Sequence, residues 1–469
     1  MEQIGKIAAM TPISIALNRF GLGYRREDAL PNDAKIWLKQ QIAAYEPAPS
    51  ALGGRSFGGA DARSAVAETF AFRGRRDEAG TDRRAEIQQA RLKNLRNSYI
   101  GEVALRARLA LESDTPFMER LVHFWSNHFA VSVDKSQVPT LIGAYEFGAI
   151  RPHVAGHFRD LLKAASLHPA MLAYLDQFQS QGPDSPAAKA RQQRGRPMRG
   201  LNENLGREIL ELHTLGVGGG YTQEDVKELA RALTGWTMQG IPYADKARPQ
   251  ANGAAFFDWI HQPGTRRIMG RSYADEGERQ ALAILDDLAV HPSTARFIAT
   301  KLARHFAGDT PPQPLVDRLA DTFRETEGHL PSLYTVLVDA PECWVSQPVK
   351  FRQPWEWAIG MIRASGQAGQ ADRQFAIMMR ALGQEVWQPG SPAGWDDREA
   401  SWAAPNAILR RVEAAERFAE QTRLEDTRAL AEAMFPGSLS ESTMQTIRWA
   451  ESNEMGFALL LVSPEMMRR

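Results

Sequence analysis

The chain has 469 residues, 43% of them hydrophobic and 24% charged, with 56 basic side chains against 56 acidic ones. That length holds a full hydrophobic core, and the balanced charge gives no global pull toward nucleic acid or an acidic membrane. A lone cysteine, Cys343, excludes an internal disulfide and any cysteine-cluster zinc or iron–sulfur site.

The start of the chain, MEQIGKIAAMTPISIALNRFGLGYRRED, carries only a weak apolar run, with no basic segment leading into a sustained hydrophobic one. It reads as mature protein, so the default address is cytoplasmic, with the periplasm left open. No window approaches the roughly eighteen apolar residues of a membrane span.

Apolar residues then recur at three- and four-residue steps, which predicts helices over Ala34–Ala44, Val103–Leu111, Pro116–Phe129, Phe158–Ala165 and Met171–Gln177. The spacing continues over Glu224–Thr234, Gly277–Leu288, Thr294–Phe306, Pro314–Thr326 and Leu330–Asp339. It closes with Trp355–Ser365, Asp372–Leu382, Ala404–Glu420 and Ser440–Glu451. Strand-type alternation of β-branched residues is almost absent, so the fold class is all-α.

Four stretches rich in proline and glycine read as loops: 47–61, 180–201, 239–256 and 387–402. Loops this long inside a helical protein are more often lids or site-forming segments than free linkers. Residues 1–469 are therefore read as one compact multi-helix domain, with 180–201 as the lid. The charged run Arg73–Arg96 reads as a solvated helix face.

Chemistry-bearing residues fall in a few places. The aromatic helix end LVHFWSNHFAVS carries His123, Asn127 and His128; the first two share a face and His128 is turned a step away. The two histidines lack the four-residue spacing of a helical zinc site, and a histidine among aromatics is more often a hydrogen-bonded core residue.

The most informative stretch is Leu201–Trp236. Asn202, Glu203, Asn204, Arg207, Glu208, Glu211 and His213 crowd among Leu205, Ile209, Leu210 and Leu212. At about 100° per residue, Asn204, Glu208 and Glu211 share one narrow sector with Arg207 beside them. His213 lies well over a quarter turn from Glu208, so one small ion cannot take all three from this helix. Gly206 inside the helix implies a close approach by another element. A glycine run ends the helix, and Thr222 with Asp225 caps a second, structural helix.

Weaker signals follow. His168-Pro169 enters a buried helix, and His261-Gln262-Pro263-Gly264 is a polar turn. Lys301, Arg304 and His305 share a helix and read as a solvated rim. Trp395 sits in a glycine-rich loop able to wall a pocket. No nucleophile elbow, phosphate-binding loop, zincin motif or dinucleotide fingerprint is present.

LNRFGLG, FWSNHFAVS, HPAMLAYLD, GLNENLGREILELHTLGVGGGYTQEDV, ALTGW, KLARHF and SPAGWDD occur in that order. Together they resemble the bacterial family called domain of unknown function 1800, from about Leu17 to about Arg411. The resemblance implies attention to Asn127, His128, Asn202, Glu203, Asn204, Arg207, Glu208, Glu211 and His213. It also implies a companion of the sulfatase-like domain of unknown function 1501 family. The family usually has an acidic residue after the histidine of the turn following Phe257; here Gln262 follows His261, so a carboxylate partner must come from another loop.

Two functions are expected. One is an enzyme of hydrolytic or metal-assisted type, with Glu208 as base or oxygen ligand and Arg207 as anion clamp. His128 or His213 would transfer protons, Glu211 and a divalent metal would be possible further elements, and Asn202, Glu203, Asn204, His261 and Trp395 would line the substrate. The alternative is a non-catalytic scaffold in which Asn202, Asn204, Arg207, Glu208 and Glu211 form a buried polar network.

Overall fold

Helices start where the sequence supplies a cap. Thr11 accepts from the Ser14 amide ahead of Pro12, Asp33 from Ile36, and Ser185 from Ala188. Thr222 and Asp225 form the expected capping box before Gln223–Leu233. The computed structural model describes residues 8–26, 28–55, 57–78, 81–197, 200–367 and 373–469. It is 61% helix and 4% strand, so the all-α expectation holds. One hydrophobic cluster runs from Ile15 to Met467 without a division, which makes the chain a single domain.

Two helices form its centre. Every residue of Pro354–Ser365 is buried. In Pro116–His128 only His123 and Asn127, four residues apart on the predicted shared face, escape full burial. Trp125 donates to the Tyr334 hydroxyl at 2.8 Å, and Tyr334 donates to the Val154 carbonyl at 2.7 Å, so the large aromatics are buried with their polar atoms satisfied. Pro292–Ala307 turns at Gly308 and packs back as Gln313–Glu325.

Three helices pass into π-helical turns, at Ala16–Phe20, Glu146–Ile150 and Ile209–Thr214. Such turns are rare and leave carbonyls free for other donors. In the third, the Thr214 hydroxyl donates back to the Ile209 carbonyl at 2.6 Å.

The loops differ from expectation in two places. Residues 180–201 contain a helix, Pro186–Gln193, whose Ser-Pro start is an ordinary capping signal; Met198 and Arg199 lie outside the described residues. Residues 239–256 contribute to a small antiparallel sheet in which Ala254–Phe256 pairs with Trp236–Met238 and with Arg248–Pro249. A hairpin, Arg266–Ile268 with Arg271–Tyr273, follows. Strands of two or three residues are too short to show alternation, so periodicity misses them. Arg73–Arg96 spans two helices, Gly59–Glu78 and Thr81–Glu112, with mostly exposed faces; Ala79 and Gly80 lie outside the described residues. Among the described residues no helix is long and apolar enough to cross a membrane.

Candidate functional site

The exposed edge of the Pro116–His128 helix faces two adjoining cavities. One, of about 60 Å³, is lined by Arg120, His123, Asn127, His128, Lys301, His305, Glu356 and Asp397 among others. The second, of about 70 Å³, shares His123, Asn127, Gln353 and Trp355 and adds Trp387 and Trp395. Both have room for a few waters or a small solute.

His128 is held at both ring nitrogens. Nε2 lies 3.1 Å from the carbonyl of His213, which the π-helical turn presents to it, and Nδ1 lies 2.9 Å from Lys301 Nζ. A ring donating to a carbonyl and accepting from an ammonium is neutral with its proton on Nε2. Burial, Lys301 and His213 accordingly hold its pKa well below the ordinary histidine value. Lys301 is itself lowered to about 8: burial dominates, Arg304 adds to it, and Asp397 opposes it. Burial takes His213 down to about 3, and its Nδ1 is enclosed with no hydrogen-bond partner.

Opposite this pair, Glu356 takes Arg120 on one oxygen and Arg469 at 3.1 Å, with Gln353 N at 3.2 Å on its other oxygen. Burial alone would raise Glu356, but Arg469 and Arg120 more than offset it and hold the carboxyl well below its usual range. Asp397 lies 3.3 Å from Lys350 and 3.5 Å from His305 Nδ1. Burial opposes its ionisation, yet His305, Lys350 and Arg469 hold it at about 2. His305 is taken to about 4 by burial and by Arg469.

Residues 387–402 close the cavities. Asn127 Oδ1 accepts from the Trp395 amide at 2.7 Å and its Nδ2 donates to the Trp395 carbonyl at 2.9 Å. The preceding Gly394, at φ +80°, lies so close that a Cβ there would be 2.4 Å from the Asn127 carbonyl oxygen.

The model of the family described as Protein of unknown function (DUF1800) matches residues 15–468. This chain belongs to that family. No curated protein and no solved structure matches it.

In this DUF1800 member, the residues singled out from sequence separate into two groups. Asn127, His128, His213 and Trp395 come together at or beside the cavities. Glu208 and Glu211 line neither; they are half-buried on the outer side of their helix, as is Arg207. Burial and the neighbouring Glu211 raise Glu208 above the usual carboxylate range, with Arg207 opposing. Arg207 pairs with Glu203 at 3.2 Å, and Glu203 also accepts from Gln223 at 2.7 Å. Asn202 ties to the Leu175 carbonyl at 2.9 Å and accepts from the Asn204 amide, while the Asn204 side chain is exposed. The polar face is therefore not the buried network that the scaffold version required.

His261 donates from Nδ1 to the Thr234 carbonyl at 2.7 Å, and Asp275 places a carboxylate oxygen 3.9 Å from its Nε2. Another loop thus brings the acid near, while Gln262 pairs with Asp184. The described residues of 180–201 do not line the His128 cavity; they wall a different groove with Arg191, Arg194, Trp259 and Ile260. Among the described residues no three His, Cys, Asp or Glu side chains converge to hold a metal.

Lys301 and His305 were misplaced by sequence reasoning. They are cavity wall, not solvated rim: His305 is buried, and Lys301 is half-buried with its amine on His128. Their four-residue spacing within the KLARHF block was the available signal.

Proposed function

We propose that this chain is an enzyme whose chemistry takes place in the His128–Lys301 cavity, with the 202–213 helix contributing His213 and a carbonyl rather than Glu208. One observation carries this: a half-buried amine bonds to a neutral imidazole at the wall of a small cavity that charged side chains help to line. An amine lowered toward neutrality is suited to proton transfer at pH 7–8, and His128 orients it by accepting its hydrogen bond. Hydrolysis of a small polar substrate remains the reaction class we favour, with Lys301 as base or acid and Asn127 fixing the covering loop.

The test is a turnover screen with purified full-length chain, repeated with Lys301→Met and Glu208→Gln. Lys301→Met should lower any activity found by about 10²-fold or more, while Glu208→Gln keeps it. Activity surviving Lys301→Met but lost in Glu208→Gln would move the site to the outer face of the 202–213 helix.

The scaffold reading draws support from the guanidiniums of Arg120 and Arg469, which are occupied by Glu356 and by backbone carbonyls. On that reading a companion of the domain of unknown function 1501 family would be the partner, and co-purification at stoichiometric ratio would be its mark.

A further inference from the structure

Charge around the cavity is unevenly balanced. Behind Arg120 and Arg469 lie three more buried guanidiniums, Arg19, Arg352 and Arg411. They lean on backbone carbonyls and on one another's neighbours: Arg19 on Cys343, Val345 and Gln347, Arg411 on Arg352, and Arg352 on the Asn18 amide oxygen. Glu356 is the carboxylate these groups share, and Asp397 with Asp309 answers Lys350. Cations outnumber carboxylates in this interior.

Lys301 pairs with no carboxylate among the described residues. Its ammonium carries three N–H groups, and among the described residues its one hydrogen-bond partner is the neutral His128. Asp397 acts on it only at longer range and is itself paired with Lys350. An ammonium withdrawn from water is ordinarily matched by a carboxylate; half-buried Lys301 has instead the Phe297 ring, 5.5 Å from Nζ, on one side and cavity on another.

We infer that the cavity takes a small carboxylate anion as the missing counter-charge of Lys301, which names the substrate class of the site proposed above and rests on that proposal for its catalytic meaning. Against a water's share of about 30 Å³, the two cavities of about 60 and 70 Å³ admit about two to four non-hydrogen atoms. That is the size of formate or acetate, or of the carboxylate end of something longer entering past Trp395. The ligand's oxygens would take the two N–H groups that His128 leaves, in charge-assisted bonds.

The experiment compares acetate with its neutral isostere acetamide on the full-length chain, by isothermal titration at constant ionic strength set with chloride. Acetate should bind saturably and acetamide should not, and Lys301→Met should weaken acetate about tenfold or more. The wild type alone gives a second readout. The groups acting on Lys301 are His128, His213, Arg304 and Asp397, and of these the amine is the one that titrates near pH 8. Acetate affinity should therefore fall about tenfold per pH unit above that value. Equal binding of acetate and acetamide, or acetate binding indifferent to pH between 7 and 9, overturns the inference. Acetate binding without turnover of any screened compound leaves it standing and removes the enzyme reading; turnover that needs Lys301 but ignores acetate does the reverse.

Discussion

His128, His213, His168 and His305 are neutral for different local reasons, and the difference has a measurable outcome. His168 spends Nδ1 on the Ala170 amide at 3.1 Å, while His213 has a bare Nδ1. Burial takes His168 and His213 to about 3, and burial with Arg469 takes His305 to about 4. Below pH 6.5 the unfolded chain protonates these rings and the folded one does not. Their contribution is thus fully present above pH 6.5 and is lost as pH falls toward 4. Unfolding free energies from urea titrations at pH 7 and pH 5 should differ by several kcal/mol in sum, and equal values would contradict the neutral assignments. Lys301 has the same sign at the other end of the scale. With its folded value about 8 and its ordinary value 10.5, stability should rise as pH climbs through that interval. Glu208 is the opposite case, an acid raised by burial and Glu211. Glu208→Gln should stabilise the fold above neutral pH, by no more than a few tenths of a kcal/mol for a half-exposed group. Thermal unfolding at pH 8 checks this. The motifs made His128, Asn127 and His213 legible. Lys301 and His305 were not, because a helix face bearing Lys and His looks solvated until another helix end and a loop close over it.

Backbone geometry accounts for much of what helical periodicity left out. At 100° per residue Glu208 and His213 separate correctly, but the π-helical turn at Ile209–Thr214 is invisible to a fixed angle; the helix ends there, which leaves the His213 carbonyl free to fix His128. Gly206 was readable: a Cβ there would stand 3.1 Å from the Val226 carbonyl and the Ala230 amide of the adjoining helix. The 387–402 loop was legible as a loop and not as the cover, since its clasp to Asn127 joins positions 268 residues apart. Gly394→Ala would put a side chain at φ +80° into the Asn127 carbonyl. We expect it to cost about 1–3 kcal/mol and to loosen Trp395, read as a shift of tryptophan emission and faster proteolysis within 387–402. Unchanged emission and cleavage would mean the loop is held by other contacts.

At the scale of the whole molecule, Arg120 and Arg469 depend on one carboxylate, Glu356. Glu356→Gln would leave Arg120 and Arg469 facing each other without it, a loss of about 3–5 kcal/mol by the usual cost of breaking a buried pair. Soluble yield and urea unfolding measure it, and a variant within 1 kcal/mol of wild type would show that the carbonyls suffice. Single-domain, all-helical character was legible because burial repeats at helical spacing throughout; the charge arrangement was not, since its members come from every quarter of the sequence. Arg469 donates to the carbonyls of Arg19, 450 positions away, and of His305, while its own carbonyl accepts from the amides of Val349 and Lys350. No local stretch of the polypeptide can therefore assemble this chamber alone: segments 450 positions apart must meet before its electrostatic circuit closes, an arrangement whose loop-closure cost makes it a late event in folding.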